Sequence, residues 1–547
     1  MVKKIFKASQ NFFNRKSNNI LSAAVIIGIS YLASALLGLI RNHLLAARFF
    51  GGLEADLDVY FAAFVIPDTI FQLLVVGAIS AAFIPVYQEY SHKSESEAHD
   101  LANSALTSIG FIFFILSALV AIFARPLSGL VAHFSPEKLD LMANLIRLMS
   151  LAQLLFTVSA FLTGVLQSQR RFLMPAIAPL LYNLGTILGI LFLSPSLGIY
   201  SAAVGVVLGS LLHLLIQIPT ALSIGYRPAI KIAPRHPGVL TMLRLMPPRT
   251  LALGLGQIER WVAVNLASLL SAGSLSIFNF ARQLYVLPIS LFGVSLSQAS
   301  FPALSEAAIL PDKSKYKELL SKSILQIFFF ALPASVMVLI LRVPLVRIAF
   351  GAKSFPWDAT LTTGRALAVL AFSIAPQAVT QTLIRSLHAL KDTKTPVYTG
   401  IVTMISFVSL AFIFGKMELG VIGITLAMSL SNLLDFFLLF YIIRHRVGNL
   451  GIISRVFRMI VASGATALSL WAPMRLLDQF VFDTTRTVPL ILLTLIASTV
   501  GFVVYLAFSA LLKIEELKEV FEIAKKLGNW RKILSTTDEV IETPGSN

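Results

Sequence analysis

The sequence predicts an all-α polytopic membrane protein with about 14 transmembrane helices, in two pseudo-symmetric six-helix lobes followed by two extra C-terminal helices. Hydrophobic residues make up 56% of the 547 residues and charged residues only 13%, too little polar surface for a soluble globule. Apolar stretches of about 20 residues recur along the chain, which matches the thickness of a bilayer core. Internal similarity between the two halves predicts the lobes.

The apolar stretches are too long and too continuous for barrel strands, which would alternate over about 10 residues. The first follows a basic N-terminus and has full transmembrane length, so we expect a retained helix rather than a cleaved signal. The predicted spans are residues 20–40, 58–85, 102–123, 141–166, 173–194, 198–222, 251–271, 275–304, 322–341, 362–388, 396–414, 419–443, 456–473 and 487–511.

The net charge of +17 follows the predicted topology. Most of the 44 Lys and Arg residues lie in the N-terminus, the even-numbered loops and the C-terminal tail, whereas the odd-numbered loops hold 10. This is the positive-inside pattern, which predicts a multi-pass protein of a cytoplasmic membrane with both termini cytoplasmic. The charge therefore does not indicate nucleic-acid binding. The chain has no cysteine, which excludes disulfides and thiolate metal sites.

Two cytoplasmic turns resemble each other at a fixed separation. Leu166 to Pro175 is LQSQRRFLMP, and Leu387 to Pro396, 221 residues later, is LHALKDTKTP. Each combines a helix end, a short basic turn and a proline that opens the next span, where its missing N–H costs least. The copies lie an even number of spans apart and so share orientation. Parallel lobes related by an axis along the membrane normal are a recurring transporter architecture.

The repeat divides the chain into parts. We expect an N-terminal lobe over residues 1–224, a basic cytoplasmic linker with a surface-lying segment over 225–250, and a C-terminal lobe over 251–445. Two further helices occupy 446–512. Residues 513–547 are predicted to form a cytoplasmic amphipathic helix and a polar tail.

Ionisable residues inside the spans are few, and such residues usually face a cavity or a partner. The candidates are Arg41, Asp58, Asp68, Arg147, Glu259, Arg260, Arg282 and Arg365. Arg147 and Arg365 lie near enough to the outer face to snorkel and receive no role.

Arg260 and Arg282 are predicted to line a cavity, because an excess of arginine over acid suits a phosphate ligand. The alternative is a structural ion pair with Glu259 or with another helix. Glu259 itself either neutralises Arg260 or carries a coupling proton or cation.

Motifs of several enzyme classes are missing from the sequence. It has no Walker loop, no His pair at metal-ligand spacing and no Gly-x-Ser-x-Gly elbow, and its loops are short and basic. We therefore expect no catalytic residue, no metal, no cofactor and no ATP-driven pump. A transporter driven by an ion or substrate gradient is the better hypothesis.

Several long stretches resemble the MurJ (MviN) family of lipid II flippases of the bacterial cytoplasmic (inner) membrane. This family is part of the superfamily that includes drug antiporters and polysaccharide-lipid exporters. They include DVYFAAFVIPDTIFQLLVVGAISAAFIPVYQEY from Asp58, GVLQSQRRFLMPAIAPLLYNLGTI from Gly164, SAGSLSIFNFARQLYVLPISLFGVSLSQASFPALSE from Ser271 and HALKDTKTPV from His388. The resemblance implies two lobes around a central cationic cavity and a groove for the lipid tail formed by the last two helices. It also implies transport of a polyprenyl-pyrophosphate-linked substrate, lipid II, by alternating access, with membrane lipids and cell-wall assembly proteins as partners.

The family's cavity arginines are only partly matched. Its Ser-Arg-x-x-Gly-x-x-Arg-Asp motif keeps the second arginine as Arg41, but Ala35 and Asn42 replace the first arginine and the acid. The acid that opens the second helix is kept as Asp58, and the arginine of the eighth helix is displaced by one position, to Arg282.

The predicted substrate-binding residues are Arg41, Asp58, Arg260, Arg282 and Gln283, with Asp58 expected to orient Arg41 and Glu259 as an ion-coupling candidate. The departures leave alternatives open: an exporter of another polyprenyl-linked glycan, a drug-cation antiporter, or a membrane scaffold that does not transport.

Overall fold

The computed structural model describes residues 20–518 except residues 78, 234, 353 and 481–485. The basic N-terminus through Lys16, and the predicted amphipathic helix and tail beyond residue 518, lie outside the described residues.

Long helices cover every predicted span. In the first half of the chain they are α1 (Ile20–Phe49), α2 (Glu54–Ala63, then Val65–Phe71, Gln72–Val76, Ile79–Phe83 and Ile84–Lys93), α3 (Glu95–Ile122), α4 (Pro136–Ser168), α5 (Leu173–Leu197), α6 (Tyr200–Leu215 and Ile218–Ser223) and α7 (Pro237–Ala267). In the second half they are α8 (Ser274–Pro288, Ile289–Val294 and Ser295–Ile309), α9 (Ser314–Ile340), α10 (Trp357–Ala371 and Ile374–Ala389), α11 (Lys394–Lys416), α12 (Gly420–Val447), α13 (Ile453–Phe480) and α14 (Thr487–Leu511).

The described helices confirm the predicted fold class. Eleven are long and apolar enough to cross a membrane, and the two segments of α10 together make a twelfth. The other two predicted spans, the first and the seventh, coincide with α1 and α7. Two short helices that the sequence did not predict, Ala124–Val131 and Arg342–Phe350, precede α4 and α10.

The chain forms two compact units. Of the described residues, 20–287, 341–373 and 392–439 belong to unit 1. In it α5 and α6 pack backbone against backbone at glycines: a Cβ on Gly189 would clash with the Cα of Gly205 and lie 2.8 Å from the carbonyl oxygen of Ser201. Such close approach replaces the missing hydrophobic driving force between helices in lipid.

Of the described residues, 288–340, 374–391, 440–480 and 486–518 belong to unit 2. Buried tyrosines hold its helices together: the hydroxyl of Tyr505 donates to the carbonyl of Phe329 at 2.7 Å, and that of Tyr316 to the carbonyl of Ser386 at 2.8 Å. In the apolar interior these bonds satisfy phenolic groups that would otherwise be costly to bury.

Left-handed turns recur at nearly constant separation. Positive φ angles occur at three pairs of residues that are 221, 222 and 223 positions apart: Arg170 (57°) and Lys391 (61°), Gly198 (52°) and Gly420 (56°), and Gly225 (83°) and Gly448 (88°). Non-glycine residues seldom adopt this conformation, so its occurrence at both basic turns is an independent sign of the repeat.

In the described part of the chain, two helices contain π-helical segments, in which the hydrogen bonds span one residue more than in an α-helix. In α2 these are Gln72–Val76 and Ile79–Phe83, after Pro67, and in α8 the segment is Ile289–Val294, directly after Pro288. π-helical turns are rare and are often found at functional sites.

Candidate functional site

Helices α1 and α7 and the part of α8 that precedes Pro288, all in unit 1, bring five of the predicted residues together. The side-chain amide of Asn42, next to Arg41, donates to the side-chain oxygen of Gln283, next to Arg282. Arg282 in turn lies within electrostatic range of Glu259 and Arg260 on α7. Charged residues that are far apart in sequence therefore form one cluster inside the bundle.

Arg41 is held by neutral amides. Its Nε donates to the side-chain oxygen of Asn42 and its Nη1 to that of Asn183, both at 3.1 Å. Asn183, on α5, is itself fixed by donating to the hydroxyl of Ser34 at 3.1 Å. Its hydrogen-bond partners among the described residues are neutral, so the positive charge of Arg41 is oriented there without an acidic partner, and its remaining N–H groups can bind an anion.

Asn183 is a functional candidate that the sequence reasoning missed. It is buried, and it links α5 to Arg41 and Ser34 on α1. A side-chain amide in the apolar stretch LLYNLGTI could have indicated it, because polar residues inside a span usually have a partner.

Arg260 pairs with another helix rather than with Glu259. Its Nη1 forms an ion pair with Asp68 on α2, and both side chains are partly exposed. One residue further along each helix, the indole N–H of Trp261 donates to the hydroxyl of Thr69 at 2.9 Å. These two contacts fasten the middle of α2 to α7 and leave Arg260 largely neutralised.

Glu259 and Arg282 lie within electrostatic range of each other in the cluster. Arg282 is exposed to solvent although it lies deep among protein atoms, as expected for a side chain that lines an open cavity. Glu259 also lies within electrostatic range of Asp435 on α12, which accepts a hydrogen bond from Thr403 at 3.3 Å.

The balance of charge differs from the sequence expectation. The cluster contains as many acids as arginines among the described residues. The arginines are Arg41, Arg260 and Arg282, and the acids are Asp68, Glu259 and Asp435. The cluster therefore has no net excess of positive charge. Within it, the described hydrogen-bond partners of Arg41 are neutral amides.

Asp58 does not orient Arg41 in the structure. Its buried carboxylate accepts hydrogen bonds from the N–H of Gly273 at 2.7 Å, the N–H of Ser276 at 2.7 Å and the hydroxyl of Ser276 at 2.6 Å. It thus satisfies the unpaired donors at the start of α8, where a negative charge is favoured. The sequence identified a buried acid here but assigned it the wrong neighbours, because its partners are backbone groups about 215 residues away.

Comparisons with known proteins find relatives over most of the chain. The family model described as "Lipid II flippase MurJ" matches residues 46–504. A probable lipid II flippase MurJ of Thermotoga maritima is 29% identical over 488 residues, which are 89% of this chain and 95% of that protein. The lipid II flippase MurJ of Burkholderia cenocepacia is 29% identical over 441 residues, which are 78% of this chain and 84% of that protein.

Solved structures give the same result. The lipid II flippase MurJ in an inward closed conformation superposes with a TM-score of 0.75 at 26% identity, covering 89% of this chain and 98% of that one. A multidrug resistance MATE family transporter in an inward-facing conformation matches with a TM-score of 0.65 at 16% identity, covering 79% of this chain and 99% of that one. The second likeness concerns the fold alone.

Proposed function

From the premise that the chain belongs to the MurJ family of lipid II flippases, we infer that it translocates lipid II, the lipid-linked peptidoglycan precursor, across the cytoplasmic membrane. The observation that carries this conclusion is the family match over residues 46–504. The protein is a multi-pass membrane transporter and not an enzyme. An exporter of another glycan, a drug antiporter and a scaffold are not favoured.

Arg41 is the centre of the proposed pyrophosphate site. Its guanidinium is oriented by Asn42 and Asn183 and can present two N–H groups to phosphate oxygens. Arg282 supplies a second cation, and Gln283 hydrogen-bonds sugar or peptide groups of the substrate. Asp58 and Arg260, predicted as substrate contacts, take supporting roles: Asp58 holds the start of α8, and Arg260 fastens α7 to α2.

Alternating access requires helices that bend, and α2 and α8 supply such points in this proposal. Each has a proline, Pro67 or Pro288, that removes one backbone donor, followed by a π-helical segment. Interrupted backbone hydrogen bonding lowers the cost of bending there.

The two-lobe division at residues 1–224 and 251–445 remains a proposal, supported by the paired left-handed turns. The short helices before α4 and α10 support it as well, since they occupy corresponding places in the two halves. Cytoplasmic termini, a lipid-tail groove over 446–512 and cell-wall assembly partners likewise remain predictions.

Ion coupling is proposed for Glu259. It lies within electrostatic range of Arg282 and Asp435. A proton or cation that binds at Glu259 and Asp435 would therefore weaken the electrostatic attraction between Glu259 and Arg282. Substrate affinity at Arg282 would then depend on the occupancy of this acidic pair. Glu259→Gln should make transport independent of the coupling gradient. Full gradient dependence in that variant would remove Glu259 from the scheme.

The test of function is complementation of a bacterium depleted of its own lipid II flippase. We expect the wild-type chain to restore growth and Arg41→Ala to fail although it inserts in the membrane. Arg147→Ala is the matched control, because that arginine of α4 donates to the side chain of Asn144 and to the carbonyl of Ala121 rather than to a residue of the proposed site. Failure of the inserted wild-type chain would refute the substrate assignment. Rescue by Arg41→Ala would refute the site alone.

A further inference from the structure

The linker after α6 begins with an irregular segment, Tyr226–Ile232, here named the linker strap. Gly225 enters it with a φ of +83°, and the side chain of Tyr226 is fully buried. The ring of Tyr226 lies 5.4 Å from that of His99 on α3. The strap is therefore anchored at its start against the side of α3.

Hydrogen bonds continue this attachment along α3. Asn103 donates to the carbonyl of Arg227 at 3.2 Å and accepts from the N–H of Ala229 at 3.1 Å. The N–H of Lys231 donates to the hydroxyl of Thr107 at 2.9 Å. The N–H groups of Ala229 and Lys231 thus both point toward α3, as those of alternate residues do in an extended chain. The side chains of an extended chain alternate between two faces, so residues 230 and 232 share the outward face, opposite Lys231, whose ammonium pairs with Asp100 of α3.

The outward side carries two large apolar residues. Ile230 is 87% exposed and Ile232 is 84% exposed, whereas the ammonium of Lys231 between them pairs with Asp100 at 2.6 Å. Leaving such a side chain in water instead of burying it forgoes about 1.5–3 kcal/mol. A pair of isoleucines on a fixed backbone therefore indicates a surface that something apolar covers.

The depth of the strap indicates what covers it. Asn103 and Thr107 lie about 12 and 18 Å along α3 from its start at Glu95, at 1.5 Å per residue. The acids of α3, of which Asp100 is the last, precede both residues. The predicted span begins at residue 102, so the isoleucines lie at the boundary between the lipid chains and the headgroups.

We propose that the linker strap is an interfacial lipid-binding element. Ile230 and Ile232 insert between lipid chains, and the exposed Arg227 and Arg235 contact anionic headgroups of the same leaflet, the cytoplasmic one in the proposed orientation. Apolar insertion combined with basic side chains is the composition that binds anionic membrane surfaces. Asn103 thus attaches the linker to α3, and the two isoleucines attach it to the bilayer.

The test is spin labelling of single cysteines, which the cysteine-free chain permits without removing any native residue. Ile230→Cys and Ile232→Cys are labelled in the full-length protein, reconstituted in vesicles of phosphatidylethanolamine and phosphatidylglycerol. Frequent collisions of the spin label with oxygen indicate a lipid environment, and frequent collisions with a water-soluble nickel complex indicate an aqueous one. Two positions on α3 calibrate the scale: Ser96→Cys for water and Phe111→Cys, which is 62% exposed, for lipid.

We expect labels at 230 and 232 to resemble Phe111→Cys, with oxygen collisions exceeding nickel collisions. Labels that resemble Ser96→Cys would overturn the proposal, and so would immobilised labels that neither reagent reaches, which would indicate protein packing. In phosphatidylcholine vesicles both labels should become shallower, and an unchanged depth would overturn the role of the headgroups. None of these outcomes depends on transport activity.

Discussion

Replacing Asp58 by Asn should destabilise the protein through the start of α8. The carboxylate of Asp58 is 2% exposed and accepts three hydrogen bonds of 2.6–2.7 Å from Gly273 and Ser276. An asparagine keeps one acceptor oxygen and turns an NH2 group toward a backbone donor. At least one N–H is then left buried without a partner, and the negative charge at the helix start is lost.

The magnitude follows from these contacts. A hydrogen bond to a charged group contributes about 1.5–3 kcal/mol, and a buried unsatisfied donor costs about 1–3 kcal/mol. We expect Asp58→Asn to lower the free energy of unfolding by about 3 kcal/mol. The matched control is Asp140→Asn, which removes an exposed pair with Arg125, and such pairs contribute about 0–1 kcal/mol.

The assay is reversible unfolding of both purified variants in mixed micelles, with substrate binding measured at a temperature where each is folded. The structure predicts a loss of stability and retained affinity for lipid II in Asp58→Asn. Wild-type stability combined with lost affinity would refute this reasoning and return Asp58 to the substrate contacts that the sequence suggested.

Three further predictions concern packing and charge. Gly189→Ala should lower the midpoint temperature of unfolding, because the new Cβ forces α5 away from α6. The control Gly464→Ala should not, because nothing lies within 4 Å of its new Cβ. Equal effects in the two variants would contradict the packing argument. Asp68→Ala and Arg260→Ala should each lose more than half as much free energy of unfolding as the double variant loses. A double-mutant cycle should therefore give a coupling energy of about 0.5–3 kcal/mol. A coupling energy of zero would exclude the ion pair. In vesicles, Arg41→Lys should transport lipid II more slowly than wild type but faster than Arg41→Ala, because an ammonium cannot bind phosphate bidentately. Full activity in the lysine variant would exclude bidentate binding at Arg41.

The elements that the sequence predicted well depend on local composition. A span is recognisable because about 20 apolar residues are needed to cross a bilayer wherever they lie in the chain. The basic turns at residues 166–175 and 387–396 also carry their own signal, and the left-handed φ angles at Arg170 and Lys391 agree with that repeat.

The elements that the sequence predicted poorly depend on partners distant in the chain. It identified Arg260 as a buried charge but left its partner open, and the structure supplies Asp68, 192 residues away. It paired Asp58 with Arg41, whereas the carboxylate is bound by the start of α8. Asn183 was missed because one amide in an apolar span resembles any other polar residue until its neighbours are known.

The sequence by itself therefore determined that this protein is a polytopic helical membrane protein, where its spans lie, and which family it resembles, since hydropathy and motif residues are properties of short segments. Only the tertiary structure decided which charges are neutralised and which remain available. Side-chain pairing is set by how separate helices pack, and that packing brings Asp68 to Arg260 while it leaves Arg41 among neutral amides.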